Sequence, residues 1–209
     1  MKMKVKITFL EELLATSSAN AQILTDYISK KASNENLQEE VDCLSNVEKL
    51  DKLEEKGTTV FVRDNDGAIC ILNHMIKGFL KHAGNVIRKT TPEQASPGKT
   101  KKWGAIAGKI DDFVKITPRR IRLNCKLEEN TYERSLRAMT AQGPRVSLAR
   151  SEYIEEGNSI EFEIHVYPGA PITEEMLKTM LDYGSWVGLG QWRNSGKGSF
   201  SYEILEINN

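Results

Sequence analysis

An α+β fold is what the sequence predicts, from three observations. Runs such as Lys4–Leu10 and Ser159–Tyr167 alternate apolar and polar residues with the two-residue period of a strand. Other stretches repeat apolar residues every three or four positions and open on Asn73 or Thr173, side chains suited to cap helices. At the C-terminal end the order is strand, helix, glycine-rich loop, strand. Joined to the first strand and the Asn73 helix, these pieces predict a ferredoxin-like (RRM-like) βαββαβ core with an N-terminal helical insertion and extra β-hairpins.

Lys4–Leu10 places Val5, Ile7 and Phe9 on one face of the first strand. Asn20 is suited to cap a helix over 21–31, striped by Ile23, Leu24, Tyr27 and Ile28. Ser33 opens a longer acidic helix that reaches Lys56 and stops at Gly57, with Leu37, Val41, Leu44 and Val47 inward. The insertion therefore covers 20–57. Thr58–Arg63 and Ala68–Leu72 read as strands joined by Asp64, Asn65, Asp66 and Gly67, which tolerate the positive φ of a tight turn. Asn73 is expected to cap a helix over 74–89 that carries Met75, Ile76, Phe79, Leu80, Val86 and Ile87. The polar stretch 90–102, with Pro92, Pro97 and Gly98, reads as a mobile loop.

A short helix is expected within Trp103–Phe113, although Gly104 and Gly108 oppose it. Pro118 precedes a strand over Arg119–Cys125, where Arg120 and Arg122 alternate with Ile121 and Leu123. An acidic loop, Leu127–Glu133, leads to strands Ser135–Gln142 and Val146–Ile154, joined by Gly143 and Pro144. Ser159–Tyr167 turns Ile160, Phe162, Ile164 and Val166 to one side. Thr173 caps the last helix, with Glu174 and Glu175 at its positive end and Met176, Leu177, Met180 and Leu181 inward. Ser199–Ile207 is the last strand.

The chain of 209 residues is read as one domain, 1–209. Its 39% hydrophobic and 28% charged residues exclude a disordered chain, and no apolar run reaches the roughly 20 residues of a membrane span. Cys43, Cys70 and Cys125 are widely spaced, which argues against a disulfide framework or a zinc site and for a reducing cytoplasm. The net charge of zero conceals a pattern. Residues 1–76 hold 9 basic and 13 acidic side chains, 77–150 hold 17 and 6, and 151–209 hold 3 and 10. A basic centre between acidic ends predicts a surface for a polyanion or a phosphate-bearing ligand. Arg120, Arg122, Arg137 and Arg145 are its expected phosphate contacts.

The run Gly188-Leu189-Gly190-Gln191-Trp192-Arg193-Asn194-Ser195-Gly196-Lys197-Gly198 is the most informative stretch. Glycines without side chains let backbone N–H groups approach a phosphate. Arg193 and Lys197 add charge, and Trp192 offers a face on which a base can stack. The run is not a nucleoside-triphosphate P-loop. Gly198 stands where Ser or Thr is required, and the loop joins a helix to a strand, the reverse of the P-loop order.

The pattern Gly-x-Gly-x-x-Arg-x-x-Gly-x-Gly, between the last helix and last strand, resembles the signature loop of the RAMP superfamily, the RNA-binding subunits of CRISPR effector complexes. The run His74-Met75-Ile76-Lys77-Gly78-Phe79-Leu80-Lys81 resembles a helix start of their backbone subunits. The resemblance implies that Lys77, Gly78 and Lys81 lie near an RNA path, and that Gly188, Gly190, Arg193, Gly196 and Gly198 form a loop that contacts it. The stretches at 140–145 and 183–198 also resemble a family of small bacteriophage proteins, which implies a host cytoplasm. The chain departs from the backbone subunits in being short and in lacking an obvious thumb hairpin.

No catalytic residue, cofactor or metal is expected. His165 reads as a structural strand residue, His74 and His82 share one helix only loosely, and Asp111-Asp112 and Glu128-Glu129 read as solvated turns. The expected function is non-catalytic binding of RNA or single-stranded nucleic acid, with self-association as a homo-oligomer or entry into a CRISPR-type complex. Two alternatives stand beside it: a sponge for a cyclic or other nucleotide signal, and a CRISPR-subunit mimic that inhibits by protein contact. None of the three involves a membrane.

Overall fold

Alternation along the first strand is reproduced side chain by side chain. Strand β1 (Lys2–Phe9) buries Met3, Val5, Ile7 and Phe9 and turns Lys2, Lys4 and Lys6 the other way. The structure, a computed structural model, describes residues 1–18, 58–90, 103–124, 130–140 and 143–208. The helices expected at 21–31 and 33–56, most of the polar stretch 90–102 and Glu128-Glu129 lie outside the described residues.

The architecture is α+β, and the chain forms two compact units. One comprises Met1–Leu13, Ile71–Asn124 and Glu155–Asn209, the other Leu14–Cys70 and Cys125–Ile154. The first is built on a four-stranded antiparallel sheet in the order β12-β1-β11-β7. Its strands are β1, β7 (Val114–Thr117), β11 (Ser159–Val166) and β12 (Phe200–Asn208). Helix α1 (Asn73–Thr90) lies between β1 and β7 in sequence, followed by the short α2 (Ile106–Phe113), and α3 (Glu174–Asp182) lies between β11 and β12. Reduced to its core, the unit runs strand, helix, strand, strand, helix, strand, and its sheet takes these strands in the order fourth, first, third, second.

One face of this sheet supplies the core. Ile160, Phe162, Ile164 and Val166 of β11 join the β1 set, and α1 and α3 cover them with Ile76, Phe79, Leu80, Met176, Leu177, Met180 and Leu181. Burying each such side chain contributes roughly 1.5–3 kcal/mol. Asn73 opens α1, donating its N–H to the Arg119 carbonyl (2.8 Å) and its amide to the Ile116 carbonyl (2.9 Å), so the helix start is tied to the β7 end. Thr173 caps α3 as expected, accepting the Met176 N–H at 3.3 Å. Gly84 lets α1 come close, since a Cβ there would stand 2.9 Å from Ile106 and 3.2 Å from Met180.

A second sheet pairs β9 (Thr131–Thr140) with β10 (Gly143–Ile154) in a long hairpin and also takes β2 (Leu13–Leu14), β3 (Ser17–Ser18) and β4 (Thr58–Val60). The two-residue parallel match of β4 to β10 is reinforced by side chains. Thr59 donates to Ser151 (2.9 Å), and Glu152 accepts from the Phe61 N–H (2.7 Å) and pairs with Arg63 (2.9 Å). β5 (Val62–Arg63) and β6 (Ile69–Leu72) form the expected hairpin. The Asp64 carboxylate accepts from the Asp66 and Ala68 N–H groups, and Gly67 takes φ 80°.

Three expectations are corrected. Gly143 and Pro144 do not form the turn between β9 and β10, because they belong to β10, in register with Thr140 and Met139. The acidic stretch before it ends sooner than expected, since Thr131 to Glu133 already pair with Glu152 to Arg150. Asp111 and Asp112 belong to α2 and not to a turn, because Ile106 and Ile110 bury one side of that helix and leave its acidic side exposed.

Candidate functional site

The glycine-rich loop is built from the end of α3 outward. A 3₁₀ turn, Tyr183–Ser185, follows the helix, and the Trp186 and Val187 N–H groups donate to the Tyr183 carbonyl at 3.1 and 3.0 Å. Gly184 is obligatory there, because a Cβ would stand 2.3 Å from the Phe200 ring. That ring in turn meets Phe79 of α1 edge-on at 5.1 Å.

The loop then closes on itself. A Cβ on Gly188 would fall 1.8 Å from the Gly198 oxygen, and one on Gly198 would fall 2.0 Å from the Leu189 oxygen. The two glycines are therefore occupied by each other's stretch of backbone. The Leu189 N–H donates to Gly198 (2.9 Å), the Gly198 N–H to Glu12 (2.8 Å), and the Leu10 N–H to Ser199 (2.8 Å), which binds the loop's base to the segment after β1. Lys197 is drawn into the same base, paired with the Glu12 carboxylate and, at 3.6 Å, with Glu11. Its charge is neutralised within the fold.

Beyond the base the loop rises to a short 3₁₀ turn, Arg193–Ser195, opened by Trp192 at φ 54° and ended by Gly196 at φ 85°. Gly190 (φ 78°) precedes it. Trp192 is half-buried. Arg193 is ion-paired with no carboxylate among the described residues, and its charge acts on His82 of α1. The His82 imidazole is held below its ordinary pKa by partial desolvation first, then by the positive charges of Arg193 and Lys89. Its ring lies 6.0 Å from that of Tyr183.

Helix α1 has a composition that explains this field. Its eighteen residues include Lys77, Lys81, Arg88 and Lys89, two histidines and no acid. Lys77, Lys81 and Arg88 recur at 4- and 7-residue spacing on one stripe, and His82 and Lys89 form the stripe beside it. Part of the first stripe is spoken for by α2. Lys81 pairs with Asp111 at 2.5 Å, and Lys77 donates to the Asp111 carbonyl at 3.1 Å. Gly78 is exposed, and a Cβ there would meet nothing within 4 Å. Arg120 and Arg122 project from β8 (Arg120–Arg122), half-exposed and exposed, around buried Ile121. Arg137 and Arg145 lie in β9 and β10, and their side chains fall outside the described residues.

The outer face of the four-stranded sheet differs in character. Lys2 and Lys4 pair with Glu163 and Glu161 across the β1–β11 register, both at 3.0 Å, and Glu203 and Glu206 stand opposite Lys6 and Lys4 on β12. Positive and negative charges balance there. No Phe, Tyr or Trp stands on the outer face of β1 or β11, where an RNA-recognition sheet carries its stacking residues; His165 is the one ring there. A shallow pocket of about 410 Å³ on this face is lined by Lys4, Thr117, Pro118 and Glu161 to Glu163.

His165 sits beside that pocket, with Nε2 2.8 Å from the Thr117 hydroxyl and 3.1 Å from the Glu163 carboxylate. Both contacts fall on one ring nitrogen, whereas a catalytic base stands between its acid and its nucleophile on two. Among the described residues no group of three or more His, Cys, Asp or Glu side chains is placed to hold a metal, and no helix is long and apolar enough to cross a membrane.

The structure thus sets Arg193 where its charge acts on His82, ties Lys197 to Glu11 and Glu12, and leaves Arg120 and Arg122 on a separate strand. Sequence reasoning missed Lys89 and Tyr183. The i, i+7 spacing of His82 and Lys89 on an acid-free helix was the available signal.

No family model matches the chain, and no curated protein matches it. Solved structures are similar at low identity. A chain of the type III-B Cmr-beta complex bound to cognate target RNA is 13% identical over 99% of this chain, with a TM-score of 0.47. The protein spans 59% of that chain's length. A chain of a type IV-B CRISPR complex is 7% identical, with a TM-score of 0.48, over 100% of this chain and 93% of its own.

Proposed function

We propose that the protein binds single-stranded nucleic acid, RNA foremost, without cleaving it, by holding the phosphate backbone along α1 and the tip of the glycine-rich loop. The observation that carries this reading is that α1 has four cations and no acid, and that the positive charges of Arg193 from the loop and Lys89 from the helix both act on His82. Like charges kept together in a folded protein oppose folding, so the arrangement calls for an anion to complete it. The fold assigned to the first unit is ferredoxin-like, supported by its strand order and by the two helices on one face of the sheet. The second unit is read as an elaboration of one domain, because the chain crosses between the units four times.

Within this reading the glycines divide. Gly188 and Gly198 shape the base, while Gly190 and Gly196 leave backbone room at the tip near Arg193. Phosphate contacts fall to Arg193, Lys89 and Arg88, with Lys77 and Lys81 adding charge beside Gly78. Fluorescence anisotropy of a labelled oligouridylate across a salt series tests the proposal. Affinity falls with salt, and Arg193→Ala weakens it and lowers the log–log slope by about 0.7, one phosphate contact on a single strand. Absence of binding at low salt, or an Arg193→Ala variant indistinguishable from the parent, refutes it.

A further inference from the structure

We infer that Trp186 is the base-stacking residue of this site, and that it restricts the site to unpaired bases. The inference rests on the nucleic-acid reading above and adds to it a residue and a selectivity. Three tryptophans occur in the chain. Trp103 is 4% exposed and belongs to the core, and Trp192 is half-buried at the start of its turn. Trp186 is 79% exposed, the most exposed of the large apolar side chains described. An indole so exposed leaves a flat apolar face that a ligand can cover.

What covers it follows from its place in the turn. Trp186 N–H donates to the Tyr183 carbonyl, and side chains three apart in a 3₁₀ turn eclipse, so Trp186 projects on the side of Tyr183. Tyr183 is the ring that meets His82, and His82 is the group on which Arg193 and Lys89 act. The indole thus stands on the side of a phenol that meets an imidazole, and that imidazole feels the charges of Arg193 and Lys89. A purely apolar partner would not be drawn to an edge where the charges of Arg193 and Lys89 act. A nucleotide fits both parts, with its base on the indole and its phosphate at Arg193 and Lys89. In a duplex the base faces are already stacked, so this contact is open only to a single strand.

Binding of an oligoadenylate and of a duplex of equal length is compared for the full-length protein, Trp186→Ala and Trp186→Phe. The expected result is a loss of about 5-fold to about 100-fold for Trp186→Ala on the single strand, no change on the duplex, and retention of most affinity by Trp186→Phe. Tryptophan emission, quenched on titrating the single strand into the parent protein, loses most of that quench in Trp186→Phe. If the parent binds oligoadenylate and Trp186→Ala binds it equally well, the inference is overturned and the proposed function stands. If Trp186→Ala instead turns an oligomer into a monomer with unchanged affinity, Trp186 is a protein contact and the inference is likewise overturned. A parent protein that binds neither probe overturns both readings.

Discussion

Replacing Gly188 by alanine tests how the loop is held. The new Cβ would stand 1.8 Å from the Gly198 oxygen, 1.9 Å from its carbonyl carbon and 2.2 Å from the Ser199 nitrogen. Ordinary contact between such atoms needs roughly 3.5 Å, so two stretches of backbone must separate by about 1.5 Å. No side chain can absorb that shift. The hydrogen bonds from Leu189 to Gly198 and from Gly198 to Glu12 cross this point, and each contributes about 0.5–1.5 kcal/mol, more if the separated groups stay buried and unpaired. Together with the overpacking, the cost is about 3 kcal/mol. Gly196→Ala is the control, because its φ of 85° makes alanine strained while its Cβ meets nothing within 4 Å. That strain costs about 1–2 kcal/mol. Thermal unfolding followed by circular dichroism reads both, at about 2–4 °C per kcal/mol for a chain of this size. A Gly188→Ala variant as stable as Gly196→Ala would refute the backbone crossing as the reason for glycine at 188.

His82 supplies a pH test. Its folded-state pKa is depressed, so its contribution to stability is complete above the unfolded value near 6.5 and is lost as pH falls through the folded value. A bound phosphate reverses the effect of Arg193 and Lys89, raising the pKa in the complex. Affinity for oligouridylate therefore increases as pH falls from 7.5 towards 6, and His82→Gln flattens the profile; a parent profile as flat as the variant's contradicts the site. Asp111→Asn releases Lys81 from an exposed pair, which should change stability by less than about 1 kcal/mol and steepen the salt slope of binding by up to about 0.7. Lys4→Glu reverses a charge on the outer sheet face opposite Glu161 and should leave oligouridylate affinity at physiological salt unchanged, where charges farther than about 8 Å are screened. A marked loss would move the binding surface to the sheet.

Local physics made much of the first unit legible. Alternation in β1 and β11 and the Thr173 cap concern neighbours in sequence, and the structure keeps them. The Asp64–Gly67 turn is equally local. What was not legible depends on residues far apart. Lys197 is an unremarkable loop cation until Glu11 and Glu12 come within reach from the other end of the chain. Gly188 and Gly198 read as room for a phosphate because nothing in their spacing tells that each fills the other's space. Trp186 and Trp192 are alike as letters, and only the 3₁₀ turn after α3 turns one of them outward.

The charge pattern also acquires a structural meaning that its sum hides. The lysines of β1 come from the acidic first block and the glutamates of β11 and β12 from the acidic last block. Antiparallel register sets them opposite one another, so the sheet's outer face neutralises itself from the two ends of the chain. The basic middle block gains little from this. Its α1 cations meet only one carboxylate among the described residues, Asp111, and the charge of Arg193 acts on the same helix at His82. Such an excess, uncompensated among the described residues, is a cost to the free protein. On the proposed reading an arriving anion offsets it, and this directs the search for binding to α1 and the loop tip before the sheet.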